Sequence, residues 1–464
     1  MQKNLLPIWN LPPDQPLTPG SRDPLGFQRY ATRFADRLLP NLTVLTNRAR
    51  YYAFLSWVLD EIATTFEPNL LVGESLPYDE YSEHLSRFER YLALAEAVVH
   101  NTDTSSNCSW VGQRKSRALA RGKRSSLSLD IALTVQEGSN GVLADYRQSF
   151  LRLGWLIDTP RNLPDELSEE GKKLADCFRR SVKIRKADRI RDLCLNPKAV
   201  SIKVEDLDKE GHLLCLSMMG EDEKKLLRPK LLGGPHLKIV TELRPLFKQQ
   251  RLTESDIFKY YLPSSAKKGT AFDLKQIALY EVFALACLAM FGGIHKSLNI
   301  NPKKQSLEEL IADQLQLEGM TRSASLSSIT KNIKWEDEVE NLITRDKTQQ
   351  TQWLKPALRL LSWVGKFVRA DPNVVVPEID SVSLGDSVDL FAQSTRRIDE
   401  IAFMMSDRLL RDHQRVFLSK RKRPWLNFSG KLIQLTDNIE EPPLNFPPNS
   451  VRLNSLISIY RDLK

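Results

Sequence analysis

Cysteine is scarce in this 464-residue chain. Its five thiols (Cys108, Cys177, Cys194, Cys215, Cys287) are odd in number, widely scattered and contain no C-x-x-C pair. That spacing argues against a disulfide framework and a cysteine-built zinc site, and fits a reducing cytoplasm. The six histidines (His84, His100, His212, His236, His295, His413) show no metal spacing among themselves, so neither a metal nor a cofactor is expected. Nucleotide-cradling glycine loops are missing: there is no G-x-x-x-x-G-K-[ST], and no G-x-G-x-x-G after a strand. The G-x-S-x-G elbow and the H-E-x-x-H zinc helix are missing too. The proline-broken start MQKNLLPIWNLPPDQPLTPGSRDP has no apolar core, so no signal peptide is expected. Long apolar runs are also wanting. Glu281 interrupts IALYEVFALACLAMFGGI (277–294), leaving 13 uncharged residues that Gly292-Gly293 should close. A membrane span needs about 20 residues, so this stretch reads as a buried core helix, and no membrane partner is expected.

The most informative deficit is of negative charge. No acid occurs between Asp103 and Asp130, yet Arg114, Lys115, Arg117, Arg121, Lys123 and Arg124 place six cations between Gln113 and Arg124. A second run, 419–431, carries five (Lys420, Arg421, Lys422, Arg423, Lys431). The whole chain has a net charge of +9, so removing these 11 charges leaves −2. Basicity concentrated in patches, in a chain with pI about 9.1, points to a polyanionic partner.

With 41% hydrophobic and 27% charged residues, the composition is that of a globular protein, and the length implies more than one domain. Helical periodicity marks 27–40, 46–66 with Thr46 as N-cap, 77–99, 254–263, 271–291, 306–317, 334–368 divided near Lys355-Pro356, and 388–418. From 196 to 246, β-branched and Gly/Pro-rich texture around charged turns predicts a small β element or irregular connector, with a boundary near 200. The expected architecture is a mainly α, multi-domain helical protein with minor β near 200–245. Its segments are an extended Pro-rich arm (1–24), an N-terminal helical domain (25–112), a basic module (113–195), the connector (196–250), a second helical domain (251–370) and a linker with a long helix and basic C-terminal segment (371–464).

Residues 141–178, GVLADYRQSFLRLGWLIDTPRNLPDELSEEGKKLADCF, have a recognisable shape. Val142, Tyr146, Phe150 and Leu153 share a helical face, Gly154 stands where a left-handed terminator belongs, WLID is a short strand, and Ser168 caps a further helix. This order resembles the end of a winged-helix domain, and the resemblance covers about 40 residues. It implies a helix entering a DNA groove and a β-turn wing on the backbone, with Arg147, Arg152 and Arg161 as contacts. The next segment adds Arg179, Arg180, Lys183, Arg185, Lys186, Arg189 and Arg191. Near the C-terminus, cations 420–423 adjoin Trp425 and Phe428, a pairing suited to phosphate and base stacking.

These features lead to the expectation of a cytoplasmic, non-enzymatic subunit that binds nucleic acid, in the form of duplex DNA, alongside other protein subunits. A prokaryotic phage-defence or mobile-element system is the expected setting. The alternative is a metal-independent ribonuclease, because Arg408 and His413 have the R-x4-H spacing seen in HEPN ribonucleases, with Asp407–Arg411 as the competing structural pair. Asp222 and Lys224 carry the final spacing of PD-(D/E)xK nucleases, but no evident strand holds them. A protein-interaction scaffold is the remaining alternative.

Overall fold

The computed structural model describes residues 24–43, 45–71, 78–100, 110–122, 124–133, 141–159, 165–249, 251–300, 305–347, 352–370, 391, 395–419, 426–429, 432–435, 444, 448 and 451–464. The chain is mainly α-helical, as its periodicity predicts. It folds as two compact units: Ala35–Thr253 with Val451–Lys464, and Met1–Phe34 with Glu254–Ser450.

The first of these units carries α2 (Arg50–Leu71), α3 (Tyr78–Val99), α4 (Gln113–Arg121), β1 (Ser126–Ser128), α5 (Val142–Leu153), β2 (Leu156–Ile157), β3 (Glu166–Leu167), α6 (Glu169–Val182), α7 (Ile184–Leu195) and β4 (Ser201–Lys203). It continues with α8 (Val204–Leu214), α9 (Glu221–Leu231) and α10 (Leu237–Leu243). The division itself falls within α1 (Gln28–Leu38). α2 packs along α6, and α3 along α8. An aromatic core joins Tyr52 to Tyr146, Phe150 and Trp155, and Trp57 to Phe88 and Phe178. Each of these side chains is at most 2% exposed, so this is where apolar area leaves water.

Three expectations are corrected here. The 196–250 segment has one short strand, β4, and is otherwise dominated by helices. The acids that looked like turn punctuation (Glu205 and Asp206, then Glu221, Asp222 and Glu223) occupy the first turns of α8 and α9, where they complement the helix dipole. Residue 200 lies inside a unit, because β4 pairs antiparallel with β1, Leu127 opposite Ile202. Thr46 does not cap α2. Its hydroxyl accepts from the Thr43 amide at 2.9 Å, and the helix begins at Arg50.

The other unit is built on α12 (Gly269–Ile300), preceded by α11 (Glu254–Tyr261) and followed by β5 (Gln305–Ser306), α13 (Leu307–Leu317), α14 (Leu326–Ile329), α15 (Trp335–Lys347), α16 (Leu354–Ala370), α17 (Ile398–Ser419), β6 (Leu426–Ser429) and β7 (Leu432–Leu435). The last described helix, α18 (Leu453–Leu463), returns to the first unit. α12 is long and apolar enough to cross a membrane, but 89% of its apolar window is buried inside the protein, as a core helix requires. Gly292-Gly293 do not end it. A Cβ on Gly293 would lie 2.1 Å from the Trp353 ring, so glycine lets that indole rest on the helix backbone. Helices α15 and α16 are separate, and Pro356 sits in the first turn of α16, where a missing amide breaks no helical hydrogen bond.

Candidate nucleic-acid interface

Helix α4 is anchored on one side and charged on the other. Gly112 precedes it at φ +76°, and a Cβ there would sit 2.9 Å from Leu133, so both conformation and space demand glycine. Buried Trp110 donates its indole N–H to Ser116 at 3.0 Å, and the Val111 amide donates to the Tyr51 hydroxyl at 3.0 Å. Arg114, Lys115 and Arg121 are exposed, as is Arg124 just beyond the helix. Arg114 and Arg121 are seven residues apart and therefore on one face, about 10 Å apart along the axis. None of these four has an ion pair among the described residues, although the Lys115 ammonium donates to the Ala132 carbonyl. Arg117 is different. Its guanidinium lies over the Trp110 ring at 4.9 Å, so it serves packing rather than solvent. Lys123 lies outside the described residues.

The β1–β4 ladder extends this surface with a residue that the sequence does not announce. Ser126, two residues after Arg124, faces Lys203, an exposed cation. The nearby acids are committed elsewhere: Asp130 to Arg87 at 2.8 Å, Glu205 to Lys209, and Asp206 to Arg189 at 2.9 Å. Only strand pairing brings Lys203 here.

The helix–hairpin–helix order of 141–178 is present. Gly154 is left-handed at φ +76°, the Gly154 and Trp155 amides donate to the Leu151 and Phe150 carbonyls at 3.1 and 3.0 Å, and the Ser168 hydroxyl accepts from the Gly171 amide at 3.1 Å. Strands β2 and β3 form a two-stranded hairpin, while β1 pairs with β4 instead of joining it. The arginines of this unit are not free for phosphate. Arg147 donates to Asp165 at 2.7 Å, and Arg152 donates to Asp36 at 3.3 Å and to the Pro40 carbonyl at 2.7 Å. Arg161 is outside the described residues.

The following basic run splits in two. Arg179 pairs with Glu61 at 2.6 Å and Asp60 at 3.3 Å, Arg189 with Asp206 and Glu210, and Arg191 with Asp188 and Asp192. Arg180, Lys183 and Arg185 are exposed and Lys186 half-buried, with no ion pair among the described residues. Lys183, between α6 and α7, holds φ +73°, a left-handed region that a side chain rarely adopts.

The R-x4-H pair is not arranged for catalysis. His413 is fully buried, its Nδ1 lies 2.9 Å from the Pro24 carbonyl, and its Nε2 accepts from the Leu426 amide at 3.4 Å. Its ring packs against Phe291 and Phe417, and burial pushes its pKa down to about 4. An imidazole with both nitrogens bonded to backbone cannot exchange protons with an outside substrate. Arg408 is half-buried on the same helix, and the competing Arg411–Asp407 pair forms at 2.8 Å. Asp222 and Lys224 lie in the first turn of α9, paired with Lys225 and Glu221. Lys420, Arg421, Lys422, Arg423 and Trp425 lie outside the described residues.

Comparison with protein-family models, curated proteins and solved structures finds no match to this chain.

Proposed function

We propose that this protein binds nucleic acid, in the form of duplex DNA, through phosphate contacts made by the α4–β1 surface. One observation carries the reading: Arg114, Arg121 and Arg124 are exposed without an ion pair among the described residues, the β1–β4 ladder sets exposed Lys203 opposite Ser126, two residues from Arg124, and Asp130, Glu205 and Asp206 already have other partners. Cations held this way have a strong preference for a polyanion, because phosphates can replace only solvent and counterions. The reading places no weight on Arg147 and Arg152, whose charges are met internally. Contacts of this kind position a duplex without reading its sequence.

The test is the salt dependence of duplex binding by the full-length protein. Each phosphate neutralised contributes about −0.9 to the log–log slope. The triple substitution Arg114→Glu, Arg121→Glu, Arg124→Glu should flatten the slope by about 2 to 3 and weaken binding. An unchanged slope, or no duplex binding by the wild type at low salt, refutes the assignment.

A further inference from the structure

Helix α8 approaches α3 unusually closely, and the approach brings together three side chains that the sequence keeps apart. At Gly211, an added Cβ would lie 2.7 Å from Val99 Cγ2 and 3.2 Å from the Ala95 carbonyl oxygen. One turn later the chain leaves α8 at Cys215, beside Glu96 and His100 at the end of α3. A carboxylate oxygen, an imidazole nitrogen and the Cys215 Sγ all lie within 4.8 Å of one another.

Two atoms of this cluster, one on Glu96 and one on His100, lack a hydrogen-bond partner. Glu96 is fully buried, and its Oε1 accepts the Leu216 amide, yet its Oε2 has no hydrogen-bond partner. Oε2 faces His100 Nε2 at 3.3 Å, and that nitrogen also lacks one. A buried carboxylate oxygen and an imidazole nitrogen 3.3 Å apart, an ion pair only when the ring is protonated and without a hydrogen bond between them, are spaced as two ligands of one cation would be. The spacing agrees. Zinc bonds of about 2.0–2.1 Å to N and O set a tetrahedral edge of about 3.3 Å, which the Glu96–His100 separation of 3.3 Å meets, and a bond of about 2.3 Å to S sets about 3.6 Å, so the Cys215 sulfur, within 4.8 Å of both, closes by at most about 1.2 Å on binding.

We infer that Glu96, His100 and Cys215 form a binding site for a zinc-class divalent ion. Thiolate, imidazole and carboxylate together are a borderline-soft donor set, which suits zinc or cobalt better than magnesium or calcium. Three protein ligands leave the fourth tetrahedral position for water. The His100 side chain, 16% exposed, provides the side from which ion and water enter. The polar surroundings fix the ligands: the Cys215 carbonyl accepts from Arg50 Nη1 at 2.5 Å, and the Leu216 amide orients the Glu96 carboxylate. This site is separate from the cationic surface and does not depend on nucleic-acid binding.

The test uses the full-length protein, freed of metal by chelator and titrated with Zn²⁺ in competition with a chromophoric chelator. The wild type should take up one equivalent. Cys215→Ser and His100→Gln should each lose more than about 100-fold in affinity, beyond the 10–100-fold typical of outer-shell changes. His212→Gln, an exposed histidine on α8, should leave the affinity unchanged. Should Cys215→Ser fail to fold, Co²⁺ added to the wild type reports the ligation directly through a thiolate-to-cobalt charge-transfer band. Glu96→Gln, which preserves the acceptor for Leu216, should then weaken binding. No zinc uptake by the wild type overturns the site, as does equal affinity in folded Cys215→Ser and His100→Gln, or a cobalt spectrum without thiolate charge transfer.

Discussion

Asp462 Oδ2 lies 2.9 Å from the Ala49 amide nitrogen, and through that contact a residue of α18 caps α2 across 413 positions of sequence. The same oxygen accepts from Arg48 Nε at 3.0 Å. Thr46, the local residue with capping chemistry, is turned instead to Thr43. Asp462→Ala removes a cap and leaves the buried Arg48 guanidinium without this partner. A loss of about 2–3 kcal/mol is expected, more than an ordinary N-cap removal, measured by denaturant unfolding. A change below about 0.5 kcal/mol, the range of neutral surface substitutions, would show that the contact does not cap the helix.

Arg179 is expected to matter for stability and not for binding. Its guanidinium grips Glu61, which also accepts the Trp57 indole N–H at 2.6 Å and is only 1% exposed. Arg179→Ala should cost about 2–3 kcal/mol, somewhat below the 3–5 of a fully buried pair because the arginine is partly exposed. The salt slope of the proposed DNA binding should stay unchanged. Should that slope flatten, Arg179 belongs to the interface after all.

The ion pair between Arg50 and Glu223 is buried on both sides, with Arg50 Nε and Nη2 donating to the two carboxylate oxygens at 3.1 and 3.0 Å. Glu223→Leu should destabilise by about 3–5 kcal/mol, because it leaves a desolvated guanidinium without its counter-charge. Replacing both partners together, Arg50→Met with Glu223→Leu, should recover much of that loss. A double variant as unstable as the sum of the two single ones would contradict the coupling.

His413 gives the fold an acid-sensitive point. Its pKa falls from 6.5 when unfolded to about 4 when folded, because burial opposes the charged ring. The folded state therefore binds the proton less well. The stability it contributes is complete above pH 6.5 and is lost as pH falls toward 4, by about 3 kcal/mol in total. Asp412, raised to about 6 by burial, works in the opposite sense, its contribution being lost as pH rises through 6. The comparison is therefore with His413→Asn. That variant should be less stable than wild type at pH 7, with the gap closing by pH 4. A gap independent of pH would mean that His413 does not titrate in this range.

The local half of this structure is legible in the sequence. The left-handed Gly154 that ends helix α5 and the Ser168 cap follow from residues within five positions of one another, and the hairpin from Leu156 opposite Leu167, still near neighbours in the chain. The misread stretch, 204–231, fails for a reason equally local: acids at a helix start look like acids in a turn until the tertiary packing of Leu207, Leu214, Leu227 and Leu231 decides. At the proposed interface, the stretch without acids from 104 to 129 contains the α4 cations Arg114 and Arg121, which have no ion pair among the described residues. Lys203 was invisible, because no composition signal links it to Ser126.

Residue types and their spacing alone determined a mainly helical chain and where its cations concentrate, since helix periodicity and net local charge depend on near neighbours. Which cations remain available to a partner was decided only in three dimensions. Arg147 meets Asp165 and Arg179 meets Glu61, while Arg114 and Arg121 meet no acid among the described residues. The physical reason is that an ion pair requires an approach within about 4 Å, and folding can close that distance between residues more than a hundred positions apart.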